Sequence, residues 1–205
     1  MMKKLSAHLL ALADPLMERI YGSRKRRLFK GHPELIVEIG PGSGINFRYY
    51  RPGTRVIAFE PNRAQHERLR RRVAVAGLDL DLRRGKAETL DLDDASVPMV
   101  VSTLVLCSVD DHVRVIDEIH RVLQPGGRFV FIEHVAAPVD SKLRRWQSGL
   151  RVPWRFLCDG CTLDRDSAEV VMSAGFQERE IERFRLSPKW LPFSPHVVGV
   201  FEKPS

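Results

Sequence analysis

The stretch that decides the fold is ELIVEIGPGSGINF, residues 34–47. It begins as an apolar run rich in β-branched residues and passes directly into a turn with glycines at alternate positions. In open α/β folds such a turn lies at the carboxyl edge of the sheet, where nucleotides bind. Glycines there let the backbone approach a ligand closely. The stretch therefore predicts a nucleotide site directly after the first strand.

Two common nucleotide motifs do not fit this turn. The dinucleotide fingerprint G-x-G-x-x-G would need a third glycine at the position of Ile45. The phosphate loop G-x-x-x-x-G-K-[ST] is absent, because no lysine follows the glycines. Glu38, two residues before Gly40, would repel a pyrophosphate but can bind a cationic or amino-bearing ligand.

Two further acidic residues favour a nucleoside ligand. Glu60 ends the run RVIAFE, and a carboxylate at the end of the second strand can accept hydrogen bonds from both hydroxyls of a ribose. Glu88, beside Ala87 in GKAETL, follows the third strand. It can approach an adenine amino group or cap a helix, and the sequence leaves both roles open.

Strand-like and helix-like segments alternate along the chain, which predicts an α/β, Rossmann-like fold with helices on both faces of a mostly parallel sheet. Two late segments, 179–186 and 196–203, follow each other without a long helix, so one strand should pair antiparallel. That makes about seven strands. The other expected strands are 35–39, 55–59, 78–84, 98–103 and 128–132, and the expected helices are 62–76, 111–123 and 165–174.

VEIGPGSG, Glu60, KAE and LQPGGR together resemble the class I S-adenosylmethionine-dependent methyltransferases, in their order and at their spacing. The resemblance implies S-adenosylmethionine as cofactor and a seven-stranded sheet whose last strand is antiparallel. It places the methionine part on Glu38 and the Gly40–Gly44 loop, the ribose on Glu60, and the adenine beside Ala87–Glu88. The complete expected cofactor-binding set is Glu38, Gly40, Pro41, Gly42, Gly44, Glu60, Pro61, Ala87, Glu88 and Thr103.

The segment STLVLCSVDD, residues 102–111, bears on the methyl acceptor. It lacks the [DNS]-P-P-[YFW] motif of amino-methylating enzymes, and it predicts an apolar pocket with Ser102, Thr103 and Cys107 as its few polar groups. Five segments of the chain resemble the methyltransferase-like seven group of thiol S-methyltransferases, which implies a small, fairly apolar thiol acceptor. They are STLVLCSV, IEHVAAP, DGCTL, PHVVGVFEK and the N-terminal SRKRRLF. A phospholipid or quinone-type methyltransferase and a non-enzymatic S-adenosylmethionine-binding regulator are the alternatives.

A thiol acceptor must ionise before it attacks, since the thiolate is the nucleophile. His134, directly after the fifth strand, and Asp159 in CDGC are the candidate proton acceptors, and each can instead be structural. The C-x-x-C pair Cys158 and Cys161 raises the question of zinc. No metal is expected, because the chain has only one other cysteine, Cys107, and no second pair.

The N-terminal 30 residues differ in charge from the rest of the chain. They hold eight Lys/Arg and two Asp/Glu, a net charge of +6, whereas residues 31–205 carry +1. Leucines at helical spacing over residues 5–20, with a kink expected at Pro15, predict an amphipathic helix. We therefore divide the chain into a segment 1–30, acting as a lid or as a peripheral membrane contact, and a methyltransferase domain 31–205.

The composition limits partners and location. The nearly neutral body gives no basic face for nucleic acid, so a small-molecule acceptor is the expected partner. Three cysteines argue against a disulfide framework and predict a cytoplasmic location.

Overall fold

The computed structural model describes residues 12–158 and 160–205. Its centre is a seven-stranded sheet in the order β3-β2-β1-β4-β5-β7-β6. Strands β1 to β5 are parallel, and β7 lies antiparallel between β5 and β6. The strands are β1 (Leu35–Ile39), β2 (Arg55–Phe59), β3 (Asp79–Arg83), β4 (Val97–Thr103), β5 (Leu123–His134), β6 (Gln177–Arg185) and β7 (Pro195–Glu202). The predicted Rossmann-like sheet with an antiparallel last strand is confirmed.

Five helices and one 3₁₀ turn connect these strands within the described ranges. They are α1 (Asp14–Leu28), the 3₁₀ helix (Ile45–Tyr49), α2 (Arg63–Ala76), α3 (His112–Val122), α4 (Lys142–Leu157) and α5 (Ser167–Ser173). Local sequence explains their ends: the Asn62 and Asp111 side chains accept from the first free amides of α2 and α3, and Gly77 closes α2 in a left-handed conformation.

The sheet separates two layers of the core. On one face, α3 and α5 bury an apolar stripe that includes Ile116, Ile119 and Val171. On the other face, α1 and α2 bury Tyr21 and Leu69 against the central strands. Burial of side chains of this size stabilises the fold by about 1.5–3 kcal/mol each, so both layers of helices hold the sheet.

Two helices differ from the sequence-based expectation. The N-terminal helix continues to Leu28, through the basic run, and Pro15 lies in its first turn, where no amide partner is needed. Leu5 and Leu9, on which the predicted apolar stripe also rests, lie outside the described residues. Helix α4 was not predicted, because it contains Gly149 and Pro153 and buries only Gln147. None of the helices in the described ranges could cross a membrane.

Helix α1 crosses the carboxyl edge of the sheet, from the glycine turn to strands β7 and β6. Its Tyr21 hydroxyl is 2.7 Å from Nε2 of His196 on β7, and Arg24 forms a 2.7 Å ion pair with Glu182 on β6. At its other end, Asp14 accepts a 2.7 Å hydrogen bond from the hydroxyl of Ser43, between the second and third glycines of the turn. The helix therefore lies over the carboxyl edge of the sheet and contacts the glycine turn directly.

Candidate active site

The glycine turn after β1 has the backbone geometry that glycine allows. Gly40, Gly42 and Gly44 all have positive φ angles, 55°, 55° and 76°. A Cβ on Gly40 would lie 2.7 Å from a methyl of Val105, so the turn packs directly against the segment that follows β4. A Cβ on Gly42 would meet only a backbone oxygen at 3.9 Å. Space for a ligand therefore remains above the middle of the turn.

Glu38 ends the first strand as a buried carboxyl, 1% exposed. It accepts hydrogen bonds of 2.8 Å from the Asn46 amide and 2.8 Å from the Tyr50 hydroxyl. Burial raises the pKa of Glu38 to about 7, although both hydrogen bonds and the charge of Lys25 oppose this shift. Buried Lys25 of α1 is shifted the other way, since desolvation lowers its pKa to about 8. Glu38 is therefore poised to change its charge near neutral pH.

Asn46 connects Glu38 to β4 and offers a free acceptor. Its amide nitrogen also donates to the Thr103 hydroxyl at 3.1 Å. Its Oδ1 is buried and has no hydrogen-bond partner among the described residues. A buried unpaired acceptor costs stability in the ligand-free protein, about 1–3 kcal/mol. Its position beside Glu38 fits a cationic ligand group that binds both Asn46 Oδ1 and a carboxylate oxygen of Glu38.

Glu60 holds the glycine turn and the start of α2 together. One carboxylate oxygen accepts from the amide of Gly42 at 3.0 Å, and the other accepts from the amide of Asn62 at 2.8 Å, across Pro61. The side chain is buried at the carboxyl edge of β2. Glu60 therefore fixes the glycine turn against the start of α2.

Glu88 acts as a helix cap in this structure. Its Oε1 accepts from the amides of Asp110 at 2.9 Å and Asp111 at 3.3 Å, just before α3. Ala87 beside it is buried in the core. The capping role left open by the sequence is thus observed, and the adenine contact of Ala87 and Glu88 stays a prediction.

Glu133, the residue before His134 on β5, shapes the turn after β4. It is fully buried, and its Oε1 accepts from the Ser102 hydroxyl and from the amides of Val105 and Leu106, at 3.1, 2.8 and 3.0 Å. These amides belong to a turn in which Leu104 has a positive φ of 57°. Burial raises the pKa of Glu133, although these hydrogen bonds oppose the shift. The carboxyl therefore positions the segment that carries Cys107.

Cys107, His134 and Cys161 meet at the carboxyl edge of β4 and β5. Their Sγ and ring nitrogen atoms all lie within 4.8 Å of one another. His134 Nε2 is 3.0 Å from Cys161 Sγ, and the indole N–H of Trp154 donates to the same sulfur at 3.4 Å. The hydrogen bond from Cys107, together with His134, holds the pKa of Cys161 well below its usual range despite burial. Burial lowers the pKa of His134, but its contact with Cys161 outweighs burial and raises it.

Comparison with known proteins identifies the family. A family profile described as a methyltransferase domain matches residues 37–131. The thiol S-methyltransferase TMT1B of Homo sapiens is 36% identical over 94% of this chain and 83% of its own. TMT1A of the same species, also a thiol S-methyltransferase, is 34% identical over 86% of this chain and 77% of its own. The chain belongs to the class I S-adenosylmethionine-dependent methyltransferases.

The fold of this methyltransferase is also found in solved structures of low sequence identity. A geranyl diphosphate C-methyltransferase from Streptomyces coelicolor A3(2), solved with Mg²⁺, geranyl diphosphate and S-adenosyl-L-homocysteine, superposes with a TM-score of 0.71. The two are 18% identical, and the match covers 91% of this chain and 80% of the other. Membership of the family confirms S-adenosylmethionine as the cofactor expected from the glycine turn, Glu38 and Glu60.

The structure brings most of the predicted site residues of the methyltransferase to one edge of the sheet. Asn46 bonds to Glu38 and to Thr103. Glu60, which precedes Pro61, bonds to Gly42 in the glycine turn that also contains Pro41. His134 lies at this edge beside Cys161, and its role as a proton acceptor stays a prediction. Asp159, the other catalytic candidate, lies outside the described residues.

Sequence reasoning missed three residues of this region. Asn46 and Tyr50 follow the glycine turn and reach back to Glu38, and Glu133 on β5 reaches the turn after β4. The only sequence signal for Asn46 and Tyr50 was their nearness to the glycines. Glu133 could have been suspected as an acidic residue that directly follows the apolar run FVFI of β5.

Proposed function

We propose that this methyltransferase transfers the methyl group of S-adenosylmethionine to the sulfur of a small, fairly apolar thiol. The observation that carries the proposal is the similarity to thiol S-methyltransferases over nearly the whole chain, 94% of it in the case of TMT1B. The geometry supports it, because the turn after β4 packs Val105 against Gly40 and so brings the expected acceptor pocket next to the glycine turn.

The reaction is an in-line displacement at the methyl carbon. A thiolate sulfur attacks the carbon as the bond to the sulfonium breaks, and the electron pair of that bond stays on the sulfur of S-adenosylhomocysteine. The protein contributes mainly alignment, with the reacting atoms about 3–3.5 Å apart, and exclusion of water. The thiol proton must leave before or during the attack, because a free thiol of pKa about 8.5 is only slightly ionised at neutral pH.

We assign the two ends of the cofactor to hydrogen-bond acceptors of the protein. The ammonium of the methionine part binds Glu38 and the unpartnered Oδ1 of Asn46, and the ribose hydroxyls bind Glu60. Helix α1 covers the bound cofactor, since Asp14 bonds to Ser43 in the glycine turn. This gives the N-terminal segment the lid role.

Cofactor binding should depend on pH through Glu38. Because its pKa is raised to about 7, the carboxyl is protonated below that pH and cannot pair with an ammonium. Affinity for S-adenosylmethionine is expected to rise by up to about tenfold per pH unit on approaching pH 7 from below, and then to level off. Calorimetric titration between about pH 5.5 and 7.5 measures this profile.

Lys25 supplies the matched test of this profile. Lys25→Met removes the positive charge that lowers the pKa of Glu38, so the levelling should move to higher pH. Exposed Lys30 lies five residues away along the chain, and Lys30→Met should leave the profile unchanged. A cofactor affinity independent of pH in the wild type would contradict the assignment of Glu38.

The acceptor is tested with molecules that differ only in the attacking atom. Hexanethiol, hexylamine and hexanol are each supplied with methyl-labelled S-adenosylmethionine, alongside vesicles that contain phosphatidylethanolamine. We expect the methyl thioether as the dominant product, with at least about 10²-fold higher kcat/KM for the thiol than for the amine or the alcohol. Preferred methylation of the amine or of the lipid headgroup would overturn the proposal.

A further inference from the structure

We propose that Cys107, His134 and Cys161 form a binding site for zinc, with the fourth coordination position open to the sulfur of the acceptor. The geometry of the three side chains supports the metal site itself. The role of its open position rests on the proposed thiol methylation. This assignment makes His134 a metal ligand, whereas the sequence predicted it as a proton acceptor. The cysteine that binds the metal together with Cys161 is Cys107, whereas the sequence motif paired Cys161 with Cys158.

The distances among the three ligand atoms suit a tetrahedral zinc ion. With Zn–S near 2.3 Å and Zn–N near 2.1 Å, the ligand atoms of a tetrahedron lie about 3.6–3.8 Å apart. Here all three atoms lie within 4.8 Å of one another, and His134 Nε2 and Cys161 Sγ are 3.0 Å apart. Displacements of the ligand atoms by about 1 Å would therefore complete the coordination.

The backbone holds the three ligands in place before any metal binds. Thr162, next to Cys161, donates its amide at 2.8 Å and its hydroxyl at 3.0 Å to the carbonyl oxygen of Cys107. Glu133 fixes the other side of Cys107 through the amides of Val105 and Leu106. Two ligands that are far apart in sequence are thus tied together directly, which lowers the entropy cost of assembling the site.

Polar groups lie close to the sulfur atoms of Cys107 and Cys161. The indole N–H of Trp154 points at Cys161 Sγ, and the Ser108 hydroxyl is 3.4 Å from Cys107 Sγ. Hydrogen bonds of this kind stabilise metal-bound thiolates and orient them. Cys107 and His134 are 3% and 7% exposed, so binding of a metal by two thiolates here would need the positive charge of the metal to compensate them. A divalent cation supplies that charge.

Two cysteines and one histidine leave one position of a tetrahedral zinc free, as in catalytic rather than structural sites. An acceptor thiol that binds there is deprotonated by the metal, and its proton passes to water. The bound thiolate then forms the new S–CH₃ bond while the sulfonium C–S bond breaks toward S-adenosylhomocysteine. Zinc activation of the acceptor needs no separate proton-accepting side chain.

The test is the zinc content of the purified full chain after zinc loading and removal of free metal. We expect about one zinc per wild-type chain, and less than about a tenth in Cys107→Ser, Cys161→Ser and His134→Ala. Cys158→Ser is the matched control and should keep the metal, since Cys158 is not part of the cluster. Affinity for S-adenosylhomocysteine, expected to stay within about twofold, shows that each variant is folded.

Cobalt gives a readout that needs no variant. Cobalt-loaded wild type should show thiolate-to-cobalt absorption, and hexanethiol but not hexanol should shift the cobalt d–d bands. No zinc or cobalt bound, a Cys107–Cys161 disulfide in the purified wild type, or metal retained in Cys107→Ser would overturn the site. Full thiol methylation by zinc-free protein would overturn its role while leaving the proposed function intact, and bound zinc without thiol methylation would count against the proposed function.

Discussion

Replacing Glu60 with alanine is expected to weaken binding of S-adenosylmethionine by about 10²–10⁴-fold. Two hydrogen bonds from ribose hydroxyls to a buried carboxylate are worth about 1.5–3 kcal/mol each. The substitution also releases the amides of Gly42 and Asn62, which Glu60 holds at 3.0 and 2.8 Å. Binding then has to order the glycine turn as well. Isothermal titration with S-adenosylmethionine and with S-adenosylhomocysteine measures the loss.

Two variants separate the ribose contact from a general effect of charge. Glu60→Gln keeps one carbonyl acceptor and should lose less affinity, about 10–10²-fold. Glu67→Ala removes an acidic group that is 79% exposed on α2, and it should change affinity by less than about twofold. Equal small losses in all three variants would mean that Glu60 does not hold the ribose.

Replacing Glu133 with alanine is expected to lower the free energy of unfolding by about 3–5 kcal/mol. It leaves the amides of Val105 and Leu106 and the hydroxyl of Ser102 without their acceptor inside the protein. Each such group costs about 1–3 kcal/mol, and relief of the buried carboxyl returns only part of the loss. Urea unfolding followed by circular dichroism gives the change.

The matched controls for this prediction use the same residue type. Glu133→Gln retains a carbonyl oxygen for two of the three donors, so its loss should be about 1–2 kcal/mol. Glu178→Ala removes an exposed glutamate from β6 and should cost no more than about 0.5 kcal/mol. A Glu133→Ala protein as stable as Glu178→Ala would show that the turn after β4 is held by other contacts.

The parts of the fold that could be predicted are those that a local sequence pattern indicates. The apolar runs of β1, β2 and β4 are continuous because parallel central strands are buried on both faces. Glu38 could be identified because it lies near the end of such a run, just before the glycine turn, and Glu60 because it directly follows one. Helix α4 has no such pattern, since its buried side chain is the polar Gln147, which bonds to Ala137 and Pro192.

The remainder of the site depends on side chains that meet only after the sheet forms. Cys107 follows β4, His134 ends β5, and Cys161 lies after α4, so no short spacing connects them. Rules for recognising zinc ligands rely on such short spacings, which led attention to Cys158. The hydrogen bonds from Thr162 to Cys107 show instead that Cys107 and Cys161 meet only in the folded chain. The same holds for Asn46, which reaches Glu38 across the glycine turn.

The central claim is transfer of the cofactor's methyl group to a thiol at this edge of the sheet. The most direct measurement incubates the full chain with trideuteromethyl S-adenosylmethionine and hexanethiol and follows both products by mass spectrometry. We predict trideuteromethyl hexyl sulfide and S-adenosylhomocysteine in equal amounts, with turnover falling at least about 10²-fold in Glu60→Ala at limiting cofactor. Formation of S-adenosylhomocysteine without labelled sulfide, or equal turnover by Glu60→Ala, would contradict the account.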